Sequence, residues 1–223
     1  MPHDDTNGWD DYWASKPSGG SSLYQKIATL YRNAFISPGL ASAIGRHFSP
    51  GSSLLHAGCG SGGADNGLAE VRITAVDISM NALQLYRRSN LRGSLTRASV
   101  FELPFAGGSF DGSYNLGVIE HFDTDEIRRM LLEMSRVIRP GGKIVLFWPH
   151  TRGSSVIVLG VVHWILHRIF RSPLQLHPPE ISLLRSRRHA EEVLAAAGLR
   201  CVDYRFGPRD GFVQAIVVAQ KGG

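Results

Sequence analysis

Short apolar runs alternate along the chain with stretches in which apolar residues recur every three or four positions. The short runs predict buried strands and the longer spacing predicts amphipathic helices. The predicted strands are residues 53–57, 73–77, 95–98, 110–115, 143–148, 201–206 and 212–219. The predicted helices are two short ones between residues 22 and 48, separated at Ser37-Pro38-Gly39, and those at 81–90, 124–138 and 189–197. Strands that alternate with helices predict a mostly parallel sheet with helices on both sides.

Residues at the ends of these elements support their limits. Ser79 and Thr124 are the predicted N-caps of the helices that follow them, because a side-chain hydroxyl can accept from free amides of the first turn. Gly198 suits the position after a helix C-terminus, where a left-handed backbone is common. Residues 139–142, Arg-Pro-Gly-Gly, predict a turn between a helix and the fifth strand.

Composition is ordinary for a globular protein. The 223 residues are 43% hydrophobic and 19% charged, which suits a single α/β domain. Two cysteines give neither a disulfide framework nor metal-ligand spacing, and no metal is predicted. The polar N-terminus lacks the apolar core of a signal peptide. A reducing, cytoplasmic setting is the simplest interpretation.

The net charge of +5 is unevenly spread, with five arginines and one acid between residues 168 and 188. Such a surface can attract nucleic acid or an anionic membrane, and it can equally be a solvated helix face.

The most informative segment is the glycine-rich loop after the first strand. Gly58, Gly60 and Gly62 allow the backbone to turn sharply and to approach a ligand closely. Asp77 ends the next strand, 19 residues after Gly58, at about the spacing at which a carboxylate binds ribose hydroxyls in nucleotide-binding units. The pair predicts an adenosine-containing ligand across the ends of two adjacent strands.

The loop sequence narrows the ligand. It reads G-C-G-S-G-G, which departs from the G-x-G-x-x-G of dinucleotide sites and lacks the Gly-Lys-Ser/Thr of phosphate-binding loops. A nucleoside without a pyrophosphate therefore fits better than NAD or ATP.

In several segments the chain resembles the class I S-adenosylmethionine-dependent methyltransferases, closest to the type 11, quinone-methylase-like subgroup. The matching segments are, in chain order, residues 54–62, 75–79, 102–111, 117–122 and 132–143. The resemblance implies a Rossmann-like three-layer α/β/α sandwich whose seven-stranded, mostly parallel sheet has an antiparallel last strand. It also implies S-adenosylmethionine as cofactor, S-adenosylhomocysteine as product, and transfer of a methyl group to an acceptor.

The resemblance also assigns cofactor-binding positions in this chain. The glycine loop meets the methionine end, Asp77 binds the ribose, and Ile78 packs on the adenine. The full set that it implies is His56, Ala57, Gly58, Gly60, Gly62, Asp77, Ile78, Ser99, Val100, Phe101, Asn115 and Leu116.

Two of these positions depart from the family pattern. His56 stands where the family usually has an acid that helps to hold the methionine ammonium group. Ser99 stands where the family usually has Asp accepting from the adenine amino group, and a hydroxyl is the weaker acceptor. A non-catalytic cofactor-binding protein therefore stays an alternative.

Histidines supply the candidates for a catalytic base. His121 follows the fourth strand at the carboxyl side of the sheet, where open α/β folds bind their ligands. It can also simply shape the loop or contact the cofactor. His150, His163, His167 and His177 are weaker candidates, and two histidines without a third ligand do not make a metal site.

The chain divides into two predicted parts. Residues 1–48 form an N-terminal arm and helices, with Tyr12, Trp13 and Tyr24 as residues that could fold over the cofactor. Residues 49–223 form the methyltransferase domain, with a hydrophobic insertion at about 150–185. Its apolar run, residues 156–170, is shorter than a bilayer-spanning helix requires. A buried lid helix is favoured there, and peripheral membrane contact through residues 154–171 is the alternative.

The leading interpretation is methyl transfer to a small or lipid-like molecule by a monomer or homodimer. Methylation of nucleic acid, specifically RNA, is the second interpretation and the less favoured one. It rests on the arginine-rich insertion, whereas residues 115–118 lack the Asn/Asp-Pro-Pro-aromatic element of many base-amine methylases.

Overall fold

A computed structural model describes residues 6–15, 29–90, 93–154, 180–208 and 211–222. Seven strands form one sheet. They are β1 Ser53–Ala57, β2 Arg72–Asp77, β3 Ser94–Arg97, β4 Phe110–Leu116, β5 Ile138–Pro149, β6 Leu199–Arg205 and β7 Gln214–Lys221.

The strand order is β3-β2-β1-β4-β5-β7-β6, and the first five strands in this order are mutually parallel. Strand β7 runs antiparallel to both of its neighbours, β5 and β6. The chain moves outward from β1 to β3 and then returns to β4, so the order reverses beside β1. Open α/β sheets bind ligands at that point, beyond the carboxyl ends of the strands. The predicted fold class is confirmed.

Five α-helices lie in the described part of the chain, and all but the first pack against the sheet. They are α1 Thr6–Ala14, α2 Ser37–His47, α3 Met80–Ser89, α4 Thr124–Val137 and α5 Arg187–Ala196. One face of the sheet packs against α4 and α5 through residues such as Leu131 and Leu194. The other face packs against α2 through residues such as Leu40 and Ile44, and α3 packs beside it. The alternation of side chains along the strands thus fills two apolar layers.

One of the predicted helix caps is wrong. Ser79 does cap α3, accepting from the amide of Ala82, and Gly198 does have a positive φ. The cap of α4, however, is Asp123 and not Thr124, because its carboxylate accepts from the amide of Glu126 while the Glu126 side chain accepts from the Asp123 amide. This reciprocal capping box satisfies two free amides at once, which a lone threonine cannot do.

Two predicted breaks are also wrong. The helical path does not stop at Ser37-Pro38-Gly39, since a π-helical turn at Arg32–Ile36 runs directly into α2 and Pro38 occupies its first turn. A proline lacks only an amide that is unpaired there anyway. Residues 139–142 belong to β5, where the pairing with β4 shifts register between Phe110 and Gly112.

The crossover between β1 and β2 differs from that of a usual βαβ unit because it has no α-helix. Its only helical element is a single 3₁₀ turn, Asp65–Gly67. Apolar residues of this crossover, among them Leu68, pack instead with α2. The layer that a crossover helix normally fills is therefore completed by a helix from the N-terminal segment.

The hydrophobic insertion cannot be assessed in the same way. Residues 155–179 lie outside the described residues, and with them the predicted lid helix, the membrane-contact segment, His163, His167 and His177. Tyr24 lies outside as well. Within the described ranges, no helix combines the length and apolarity needed to cross a bilayer.

Candidate functional site

A cavity of about 560 Å³ lies beyond the carboxyl ends of β1, β2 and β4. The glycine loop after β1 forms its floor, and α1 and the π-helical turn form part of its wall. The volume falls within the roughly 300–1,000 Å³ typical of small-molecule and cofactor sites. The sequence-predicted residues that border it are His56, Gly58, Gly60, Gly62, Asp77, Ile78, Ser99, Val100, Phe101, Leu116 and His121.

Asp77 joins the glycine loop to the start of α3. Its Oδ2 accepts from the amide of Gly60 at 2.8 Å, and its Oδ1 accepts from the amide of Ser79 at 2.9 Å. Burial raises the pKa of this carboxyl group, and the two amide hydrogen bonds oppose that rise. Each oxygen keeps a second lone pair, so the carboxylate can still accept from ligand hydroxyls.

Gly60 adopts a backbone conformation that disfavours side chains. Its φ is +52°, and a Cβ there would lie 2.8 Å from the ring of Trp13. Glycine therefore serves two purposes at this position, the left-handed turn and the close approach of α1.

His56 is buried behind the loop, with 2% of its surface exposed. Its Nδ1 lies 2.8 Å from Oδ2 of Asp65, and its ring stacks on Tyr114 with centroids 4.3 Å apart. The Tyr86 hydroxyl donates to the same Asp65 oxygen at 2.7 Å. The residue that replaces the family's acid is therefore itself paired with an acid.

The predicted adenine side is mostly apolar. Ile78, Val100 and Phe101 border the cavity together. Ser99 borders it too, but its hydroxyl oxygen already accepts from the amide of Phe101 at 3.2 Å. Phe101 packs edge-on against Phe122, which holds the Phe101 ring in place at this side of the cavity.

Two predicted residues do not border the cavity. Asn115 is fully buried and donates through Nδ2 to the carbonyl of Ala57 at 2.6 Å. Ala57 is fully buried as well. Their hydrogen bond therefore holds the ends of β1 and β4 together. The last residue of β4, Leu116, does border the cavity.

The segment after β4 carries two titratable groups with different surroundings. His121 borders the cavity, and its ring lies 5.5 Å from the ring of Trp9. Glu120 is buried, which raises its pKa to about 8, and the charge of Glu180 acts in the same direction. His150 packs on Phe206 at 4.0 Å with Nδ1 accepting from the amide of Arg152, so it holds the end of β5.

Part of the predicted N-terminal arm is helical. Residues 6–14 form α1, and Trp9, Tyr12 and Trp13 all border the cavity. Asp10 fixes this helix, since its Oδ1 accepts from the Ser79 hydroxyl at 2.6 Å.

Several residues that border the cavity were not predicted from sequence, namely Tyr31, Arg32, Ile36, Ser154, Glu180, Val213 and Gln214. They come from segments far apart in the chain and share no motif. In the described part of the chain, no three His, Cys, Asp or Glu side chains converge as metal ligands would.

Comparison with known proteins finds methyltransferases among the proteins to which this chain is similar. Residues 55–146 match a family model described as a methyltransferase domain. "O-methyltransferase resE" of Aspergillus sclerotiorum is 29% identical over 144 residues, 60% of this chain and 50% of that protein. "Probable tRNA methyltransferase 9B" of Mus musculus is 32% identical over 99 residues, 44% of this chain and 22% of that protein. The chain spans about half the length of the first O-methyltransferases that it matches.

Among solved structures, magnesium protoporphyrin IX methyltransferase from Synechocystis PCC 6803 with bound S-adenosylhomocysteine superposes with a TM-score of 0.66. The alignment covers 97% of this chain and 95% of that chain at 16% identity. At this identity the likeness shows a shared fold over almost the whole chain.

Proposed function

We propose that this chain, whose residues 55–146 match the methyltransferase domain family, transfers a methyl group from S-adenosylmethionine to a hydroxyl of a small, apolar acceptor. The observation that carries this proposal is the hydrogen bond from Gly60 to Asp77 at the edge of the cavity. It brings the glycine loop and the strand-end carboxylate together, as a nucleoside site requires.

The residues present fit this cofactor. The carboxylate of Asp77 faces a cavity of sufficient volume and keeps lone pairs for two ribose hydroxyls. Ile78, Val100 and Phe101 offer apolar walls for a purine ring. Because the Ser99 hydroxyl retains one lone pair after accepting from the Phe101 amide, it can still accept from an exocyclic amine.

When bound, S-adenosylmethionine supplies a methyl group on a sulfonium, which already carries a good leaving group. The protein then has to align the acceptor oxygen with that methyl group and to exclude water. The rings of Trp9, Tyr12 and Trp13 border the cavity and support a role of α1 as a cover. We extend this role to the π-helical turn Arg32–Ile36, which also borders the cavity, whereas α2 packs against the sheet.

We assign His121 as the group that receives the proton of the acceptor hydroxyl. An unprotonated imidazole can accept this proton while the oxygen forms its bond to the methyl group. His121 borders the cavity on the side where α1 closes it, which supports the assignment.

The rest of the wall indicates the class of acceptor. Tyr31, Ile36, Phe122 and Val213 add apolar and aromatic surface to the cavity. The similarity to fungal O-methyltransferases agrees with an aromatic or lipid-like hydroxyl compound.

The similarity to "Probable tRNA methyltransferase 9B" supports a second candidate, methylation of RNA. A salt-dependent gel shift with tRNA would favour it, because phosphate contacts release counterions. Without such a shift at low salt, the small-molecule proposal stands alone.

Calorimetric titration with S-adenosylhomocysteine tests the proposal directly. We expect Asp77→Asn to weaken binding at least tenfold, about 1.4 kcal/mol, because it removes the charged acceptor for the ribose hydroxyls. Asp125→Asn, an exposed site on α4, should leave binding unchanged. If folded wild-type protein does not bind, the proposed function is wrong; if it does, transfer of a labelled methyl group to phenols, quinols and lipid precursors identifies the acceptor.

A further inference from the structure

We propose that the amino-acid end of the cofactor is bound as a zwitterion by two devices particular to this chain. Nε2 of His56, fixed by Asp65, accepts from the ammonium group, and Arg32 binds the carboxylate. This inference rests on the proposed function and adds how the methionine end is recognised.

The first observation is an unsatisfied nitrogen. His56 borders the cavity, is 2% exposed, and its Nε2 has no hydrogen-bond partner among the described residues. A buried polar atom without a partner is destabilising, and a ligand that donates to it removes that cost. The only charged donor at this end of the cofactor is its ammonium group.

The second observation fixes which nitrogen carries the proton. The Asp65 oxygen that faces Nδ1 of His56 also accepts from the Tyr86 hydroxyl, so it acts as an acceptor. Burial raises the pKa of Tyr86, which keeps that hydroxyl a donor. The tautomer that suits this contact has Nδ1 donating to Asp65, and in that tautomer Nε2 presents a lone pair.

The pair thus replaces the acid that this position usually holds. A carboxylate behind an imidazole fixes the tautomer and the orientation of the ring, as it does for histidines that bind metals. The negative charge that attracts the ammonium group is moved back by one ring, from residue 56 to Asp65. The histidine is then a change in the means of recognition and not a loss of it.

The third observation concerns the opposite charge. Arg32 borders the cavity and lies directly over the glycine loop, so that a Cβ on Gly63 would collide with its guanidinium group. It forms no ion pair with any residue in the described ranges. A guanidinium group binds a carboxylate through two parallel hydrogen bonds.

The lack of an α-helix in the crossover gives a reason for an arginine here. Helix N-termini commonly bind anions through free amides and the helix dipole. The crossover after the glycine loop has only the 3₁₀ turn Asp65–Gly67, so little of that effect is available. Arg32 supplies the missing positive charge from the π-helical turn.

Two ligands that differ in the amino-acid part test the inference. S-adenosylhomocysteine carries the ammonium and carboxylate groups, whereas 5′-methylthioadenosine has the same adenosine and thioether without them. We expect Arg32→Gln and Asp65→Asn each to weaken the binding of S-adenosylhomocysteine by about tenfold or more. The affinity for 5′-methylthioadenosine should change by less than about twofold. The amide at position 65 can accept or donate, so the ring is no longer held in the tautomer with a free Nε2.

Matched variants separate the possible results. Asp77→Asn should weaken the binding of both ligands to the same extent. Arg46→Gln, which changes an exposed arginine of α2, should leave the binding of both ligands unchanged. Thermal melts identify any loss of folding in the Asp65 variant, because Asp65 is buried. Arg32 is half-buried, so the Arg32 variant tests the inference independently of that loss.

The inference is overturned if wild-type protein binds both ligands equally well, or if the Arg32 and Asp65 variants weaken both ligands to the same extent. Binding of neither ligand by folded wild-type protein would instead refute the proposed function, and the inference with it.

Discussion

At the scale of single residues, Glu120 is the carboxyl group whose protonation depends most clearly on burial. Its Oε2 has no partner among the described residues, and its pKa is raised from 4.5 to about 8. Between these two pH values the folded protein retains a proton that the unfolded chain releases. Stability contributed by this group is therefore complete below pH 4.5 and is lost as the pH rises to about 8.

We expect Glu120→Gln to remove this pH dependence. Relative to wild type, the variant should gain on the order of a few kcal/mol in its free energy of unfolding on going from about pH 5 to about pH 9. Urea unfolding at several pH values measures the difference, with exposed Glu102→Gln as the control. Parallel pH profiles for Glu120→Gln and wild type would show that Glu120 titrates normally.

The same scale shows what the sequence can predict about the site. Asp77 is accessible to prediction because its spacing from the glycine loop depends only on adjacent strands, and the structure does place it beside Gly60. The partner of His56 is not accessible to prediction, because Asp65 lies in the 3₁₀ turn of a crossover that has no α-helix. Arg32 reaches the cavity only through packing of the N-terminal segment, which no local motif reports.

At the scale of elements, α1 is held over the cavity by a small polar anchor. Asp10 accepts from the Ser79 hydroxyl and lies 3.6 Å from Arg97, which joins α1 to the start of α3 and the end of β3. We expect Asp10→Ala to speed dissociation of S-adenosylhomocysteine by roughly fivefold, because about 1 kcal/mol of hydrogen bonding is lost.

Stopped-flow tryptophan fluorescence measures this rate, since Trp9 and Trp13 border the cavity. Asp11→Ala is the matched control, because its side chain lies on the same helix and is exposed. Equal rates for the two variants would show that α1 does not limit ligand release.

Element limits are predicted well where local chemistry decides them and poorly where reciprocal contacts do. Strand β1 has the same limits in the prediction and in the structure, since a short apolar run ends at a glycine. The predicted cap of α4 is one residue late, because the exchange between Asp123 and Glu126 is favoured over the hydroxyl of Thr124. The π-helical turn before α2 has no sequence signal that distinguishes it from an ordinary helical turn.

At the scale of the whole molecule, the last strand joins the edge strand β6 to the rest of the sheet. β7 lies between β5 and β6, and Lys221 at its end donates to the carbonyls of Ser135 and Ile138 at 2.7 and 2.9 Å. These carbonyls close the C-terminus of α4, where a cation is favourable.

We expect Lys221→Met to lower the free energy of unfolding by about 1–2 kcal/mol, because the apolar stem is kept and two hydrogen bonds are lost. Arg200→Met on the neighbouring β6, where the side chain is exposed and bonds to Gln220, should change it by less than about 0.5 kcal/mol. Equal urea midpoints for the two variants would contradict this account of Lys221.

The position of α2 has a practical consequence for how this protein is cut and expressed. The family match begins at Leu55, so a truncated protein designed on that match would start close to this residue. Such a truncated protein would lack Leu40, Ala43 and Ile44, which are buried against the sheet together with Leu54 and Phe147. It would expose a continuous hydrophobic surface on one side of the sheet, and we expect it to be recovered mainly in inclusion bodies.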